Sequence, residues 1–131
     1  MQRARKTAEI AGFPHAQVTS LLNEFDYGEY EGITSQQIHA ENPGWDLYRD
    51  GCPGGESPSQ VNERASQFLE LASQQGGNVL VFAHGHILRA VGVAWLRLDI
   101  TVATLLRLDV ATLSVLVEDD HGRGLAIWNS P

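Results

Sequence analysis

The sequence predicts an α/β protein, a sheet with helices laid on its faces. Helix and strand signals alternate through the first two thirds of the chain, the pattern of layered α/β architecture. The run Val79-Leu80-Val81-Phe82-Ala83 is continuously apolar, as expected of a strand buried on both faces. A well-capped amphipathic helix precedes that run and a second helical pattern follows it. At 131 residues and 14.3 kDa, the chain has the size of one domain, spanning residues 1–131.

Taken in order, Arg3 to Ala11 reads as a helix with Ala4, Ala8 and Ala11 on one stripe, stopped by Gly12-Phe13-Pro14. It starts without a preceding cap, so the chain opens in mid-element. Val18 to Leu22 reads as a short strand. Asn23 to Gly32 is dense in acids and aromatics and has no period, hence a loop. Thr34 and Gln37 form a capping box for a helix through about Glu41, ended by Pro43-Gly44. Trp45 to Ser57, with three glycines and a proline, is irregular.

Ser57-Pro58-Ser59-Gln60 is a stronger start signal: a cap, proline at the first helical position, and glutamine three after the cap. The helix it opens places Val61, Ala65, Phe68, Leu69 and Ala72 on one face and stops at Gly76-Gly77. After the apolar run comes His84-Gly85-His86, then a helix from Ile87 to Leu96. The last third reads as strands at about Thr104–Leu108, Leu113–Val117 and Leu125–Trp128, with a hairpin turn across Asp119 to Gly124.

Nine Lys+Arg against sixteen Asp+Glu give a net charge of −7. Nucleic-acid binding is excluded as an expectation, because it needs clustered positive charge against phosphates. The lone Cys52 rules out an internal disulfide framework and points to a reducing, cytoplasmic setting. No apolar run approaches the ~20 residues of a membrane span, so no membrane partner is expected. The cationic start, Met1 to Lys6, lacks the apolar stretch of a signal peptide after it.

In open α/β sheets, ligands bind beyond the carboxyl ends of the strands, and His84 sits at that end of the apolar run. A strand-end His followed by Gly can meet an anion, with the start of the next helix adding partial positive charge. A His-x-His pair could instead ligate a metal, or be a hydrogen-bonded loop feature. The metal reading is poor, because Cys52 is alone and no second His pair has ligand spacing. In the acidic loop Glu24 to Glu31, a carboxyl becomes a useful acid if Phe25, Tyr27 and Tyr30 supply an apolar pocket that keeps it protonated. Arg3 and Arg5 are surface charges unless one lines a cleft, where a guanidinium makes a bidentate phosphate clamp.

Five segments, taken in order, carry a family resemblance: Arg3-Ala4-x-x-Thr7-Ala8; Leu22-x-Glu24-x-x-x-Gly28-x-x-Glu31-Gly32; Pro53-Gly54-Gly55-Glu56-Ser57; Arg64; and Val79 to Gly85 with Arg89. From Gln2 to about Asn129 the chain resembles the histidine phosphatase (phosphoglycerate mutase-like) superfamily. Trp45-x-x-Tyr48-Arg49-Asp50-Gly51-Cys52 with Phe82 to His86 looks most like its phosphatase branch. The resemblance implies a three-layer α/β/α sandwich and a metal-independent, cofactor-free hydrolysis of small sugar-phosphate-like monoesters through a phosphohistidine. It implies Glu24 as the acid for the leaving oxygen and His84 as a pocket histidine holding phosphoryl oxygens. It further implies Arg3 and Gly85 as phosphate-binding residues. Tyr27, Arg49 and His86 would contact the rest of the substrate.

The family's Arg-His-Gly motif, which carries the nucleophile, occurs nowhere in these 131 residues. The expectation is a chain truncated at its amino end, with little or no turnover as given. Loss of the strand that the family pairs beside Val79–Ala83 would favour pairing with a second copy, a homo-oligomer, or aggregation. A mutase that returns phosphate to its substrate, and a non-catalytic phospholigand-binding protein, are the alternatives.

Overall fold

The computed structural model describes residues 2–131. Helix α1 is Gln2–Ile10, with Ala8 buried. Gly12 ends it at a positive φ of 94°, and Phe13 N–H returns to the Ala8 carbonyl. The short strand expected at Val18–Leu22 is instead a 3-10 helical turn, Ser20–Leu22, capped by the Thr19 hydroxyl. Thr19 supplies a local acceptor for the Leu21 N–H, and this competes with any strand ladder. A second such turn, Gly28–Tyr30, lies inside the acidic loop.

Helix α2, Ser35–Glu41, begins at the Thr34–Gln37 capping box. Helix α3, Leu47–Asp50, stands in the stretch read as irregular, and Asp46 caps it through Tyr48 N–H. Helix α4, Pro58–Ser73, starts with both bonds of the Ser57–Gln60 box in place. It buries Val61, Ala65 and Phe68. Helix α5, Gly85–Trp95, packs along α4 and buries Ile87, Ala90, Val91 and Val93. These faces close one core with Phe25, Leu47, Tyr48, Cys52 and Ala103.

Two further expectations about strands fail in different ways. Residues expected to form a strand at Thr104–Leu108 lie partly in a 3-10 helix, Ile100–Leu105, capped by Asp99. Ala103 and Thr104 carbonyls there are taken by the Arg89 guanidinium, not by a neighbouring strand. Val79–Ala83 has no regular secondary structure, and among the described residues its backbone forms no hydrogen bond. Val79 and Leu80 are 44% and 53% exposed, so the run expected to be buried on both faces is open on one side.

That open side is a groove of about 860 Å³. Ala4 and Ala8 of α1, Phe68 and Leu71 of α4, and Phe82 line it, and His84 stands in its wall. The hairpin pairs β1, Leu113–Asp119, antiparallel to β2, Gly122–Ser130. Trp95 of α5 ties it down by donating to the Val117 and Gly124 carbonyls, both at 3.2 Å. The Trp128 ring leans on Gly92, where any Cβ would meet it at 2.9 Å.

Candidate active site

His84 is the cap residue of α5, but its side chain makes no cap bond. A carboxylate from the acidic loop does so in its place. Glu24 Oε2 accepts the His86 N–H at 3.2 Å, and Oε1 accepts the Ile87 N–H at 2.9 Å. Oε1 also accepts the Phe25 N–H at 3.0 Å. A negative group at a helix amino end meets both the free N–H groups and the positive end of the dipole. The aromatic pocket expected around this carboxyl is therefore not what holds it. Phe25 stacks on Tyr27 and meets Tyr48 edge-on, while Tyr30 packs against Trp45. The carboxyl oxygens face backbone donors.

His84 lies partly buried at the start of α5, within reach of the Glu24 and Arg3 charges. Burial lowers its pKa below the ordinary value; the Glu24 charge opposes that shift and the Arg3 charge reinforces it. Both Glu24 and Arg3 thus act on the same imidazole. Arg3 itself is exposed on α1, and among the described residues no carboxylate lies within 4.0 Å of it. Gly85 is exposed, and a Cβ there would meet nothing within 4 Å, so open space lies over the helix start.

His86 is held from three directions. Its Nδ1 is 2.5 Å from the Tyr27 hydroxyl and 3.8 Å from Glu24 Oε2. Its carbonyl accepts the Tyr48 hydroxyl at 2.8 Å. Burial lowers the His86 pKa, against the pull of Glu24, with Arg89 adding to the shift. Burial, then the Glu24 charge, raises that of Tyr27, whose phenol stays protonated. Tyr27 therefore donates to Nδ1 of a neutral ring, which leaves the proton on Nε2.

The structure thus brings Glu24, His84, His86, Tyr27 and the Arg3 charge to one end of α5. It does not bring Arg49 there. That side chain is exposed on α3, bound to Asp50 and to the Gly44 carbonyl. Asp50 follows it directly and supplies both carboxylate oxygens, so the fork is satisfied locally. Sequence reasoning passed over Tyr48, which anchors His86 from a position 38 residues away. It also gave no part to Arg89, whose guanidinium lies 5.0 Å from the Tyr48 ring centroid. Neither shows a local sequence signal beyond its place in the motifs above. Among the described residues, no cluster of three or more His, Cys, Asp or Glu is placed to hold a metal ion, and no helix is long and apolar enough to cross a membrane.

The family profile of the histidine phosphatase superfamily (branch 1) matches residues 1–131. The chain belongs to this superfamily. It is similar to an acid phosphatase of Mycobacterium tuberculosis, 38% identical over 128 residues, which cover 96% of this chain and 63% of that protein. A sedoheptulose 1,7-bisphosphatase of Saccharomyces cerevisiae is 32% identical over 125 residues, 75% of this chain and 46% of the relative. The solved structure of an open reading frame from Mycobacterium tuberculosis superposes with a TM-score of 0.94 at 37% identity. That match covers 98% of this chain and 68% of the other. The α/β histidine phosphatase fold is thus shared, and this chain spans less than two thirds of the length of each of these two relatives.

Proposed function

We propose that a protein carrying this histidine phosphatase domain, residues 1–131, hydrolyses a small sugar-phosphate-like monoester through a phosphohistidine. The observation that carries the proposal is the Glu24 carboxylate bound to the His86 and Ile87 N–H groups at the start of α5, next to His84 and the open space over Gly85. In this reading Arg3, His84 and the Gly85 turn hold phosphoryl oxygens, and Glu24, once it has taken a proton from solvent, passes that proton to the leaving oxygen. A cationic pocket stabilises charge on those oxygens in the transition state. The covalent intermediate divides one very slow hydrolysis into two easier steps. Tyr27 and His86, with its Nε2 proton, face the remainder of the substrate. The yeast relative's name, a sugar bisphosphatase, suggests the substrate class. The lone, buried Cys52 suits a reducing, cytoplasmic setting.

The nucleophilic histidine of the family has no counterpart here, since Arg-His-Gly does not occur in the 131 residues. The domain alone then binds phosphate without releasing it from esters. Two measurements test this: phosphate release from a sugar phosphate, and thermal protection by vanadate. The 131 residues give protection without turnover, and a form extended by an Arg-His-Gly strand gives turnover. His84→Ala removes both. Gly85→Ala leaves stability intact, since it adds a methyl into open space, but weakens vanadate protection. Isomer formation in place of free phosphate would establish the mutase alternative, and protection without turnover by the extended form would leave a phospholigand-binding protein. Protection that survives His84→Ala would overturn the assignment.

A further inference from the structure

Arg64 and Glu56 form a half-buried ion pair, with side chains only 16% and 20% exposed. Neither has a part in the phosphate chemistry proposed above. Their partners all belong to the segment that carries Glu24. The Arg64 guanidinium spends every donor. Nε and Nη2 make a bidentate pair with Glu56, each at 2.8 Å. Nη1 donates to the Leu21 and Asn23 carbonyls at 2.9 and 2.7 Å, and Nη2 reaches the Glu24 carbonyl at 3.5 Å. Glu56 then holds the other side of the loop. Its Oε2 accepts the Asp26 N–H at 2.9 Å, and its own N–H donates to the Asp26 carbonyl at 3.0 Å.

The backbone of Glu24 is therefore pinned before it, at itself and after it. Phe25, 2% exposed, plugs the same segment into the core. The loops also cross closely at Gly28 and Gly55, where a Cβ on either would collide with backbone of the other. We infer that the Arg64–Glu56 pair is a positioning device that sets the Glu24 carboxyl against the amino end of α5. The inference rests on the role proposed for Glu24 but is tested separately from it.

A buried ion pair is weak evidence for stability, because desolvation offsets much of the attraction. A guanidinium with five donors in one plane, each matched to an acceptor, instead fixes geometry. Lysine, a point charge with three donors, cannot reproduce it. The site is sensitive to such geometry, since displacing a catalytic group by about 1 Å can cost ~100-fold in rate.

The test compares Arg64→Lys and Glu56→Gln with Glu118→Gln, which cuts an exposed pair on the hairpin. Amide NMR signals of His86 and Ile87, which donate to Glu24, report directly on the carboxyl. Both lose their hydrogen-bonded shifts in Arg64→Lys, shift partly in Glu56→Gln and stay put in Glu118→Gln. Glu24→Gln, read in the same spectra, marks where those signals fall without the carboxylate. In an extended form that turns over, Arg64→Lys lowers kcat at least about tenfold and leaves KM within about twofold. Unmoved His86 and Ile87 amides in folded Arg64→Lys, or an equal response to Glu118→Gln, overturn the inference. If Arg64→Lys fails to fold, Glu56→Gln decides by the same signals. Turnover that tolerates Glu24→Gln while the amides respond as expected would remove the acid role of Glu24 and keep the positioning.

Discussion

At the scale of single residues, the site joins two histidines whose neutral forms the fold prefers. Burial lowers both the His84 and His86 pKa values below the ordinary 6.5. In the unfolded chain these rings bind protons at a higher pH than they do in the fold. The unfolded state therefore carries more protons through the window just below about pH 6.5. Stability rises with pH through that window and is lost as pH falls through it. The low-lying carboxyls of Asp50 and Asp99 are ionised in both states there and do not disturb the trend. Urea midpoints at pH 5.5 and 7.5 measure the effect: the midpoint is lower at pH 5.5, and the double variant His84→Asn/His86→Asn flattens the difference. A slope unchanged by that variant would place the pH dependence elsewhere. His84 at the close of an apolar run and Glu24 in an acidic loop are legible in the sequence as candidates for this site. The bond from Tyr48 to His86 was not legible. It spans 38 residues, and no local pattern encodes a contact of that range.

Elements were read well wherever a local signal fixed an end. The Ser57–Gln60 box, with Pro58 at the first helical position, set the start of α4, and the structure shows both reciprocal bonds. Thr34 and Gln37 did the same for α2. Short apolar stretches were misread where a side chain offered a local acceptor. Thr19 caps a 3-10 turn, Ser20–Leu22, inside the strand expected at Val18–Leu22, and Asp99 caps another, Ile100–Leu105, that takes the first two residues of the strand expected at Thr104–Leu108. Period alone does not separate a short strand from a tight turn. The dependence of α4 on its cap is measurable. Ser57→Ala removes the acceptor of the Gln60 N–H and costs about 1 kcal/mol, a Tm shift of roughly 2–6 °C. Because Val61 and Ala65 are fully buried one and two turns later, the helix stays docked and the loss remains near that size. Calorimetry on Ser57→Ala against Ser57→Asn, which keeps a capping oxygen, separates the cap from the packing.

For the whole molecule, one run of five residues governs behaviour in solution. A central strand of an α/β sheet is apolar on both faces because helices or strands cover it. Val79–Ala83 has that composition, but on its groove side it meets solvent, and among the described residues its backbone forms no hydrogen bond. Unpaired N–H and C=O groups beside exposed Val79, Leu80 and the half-exposed Phe13 make an adhesive edge. The composition predicts a strand buried on both faces, and the structure shows neither the strand nor the burial, since both depend on what lies beside a segment. Two outcomes compete for this edge. A second copy can pair with it, giving a dimer or larger particles whose mass in sedimentation grows with concentration. An extended apolar strand joined to the chain can fill the groove of about 860 Å³, leaving a monomer. The 131 residues alone are expected to self-associate, and hydrogen exchange at Leu80–Phe82 is fast whenever they are monomeric. Attaching a strand ahead of α1 abolishes the association and slows that exchange at least about tenfold, because each protected amide must then await an opening. Leu80→Lys on the unextended chain weakens association through charge on the edge. A chain that stays monomeric at high concentration, with Leu80–Phe82 already protected, would mean that the groove closes on itself in solution.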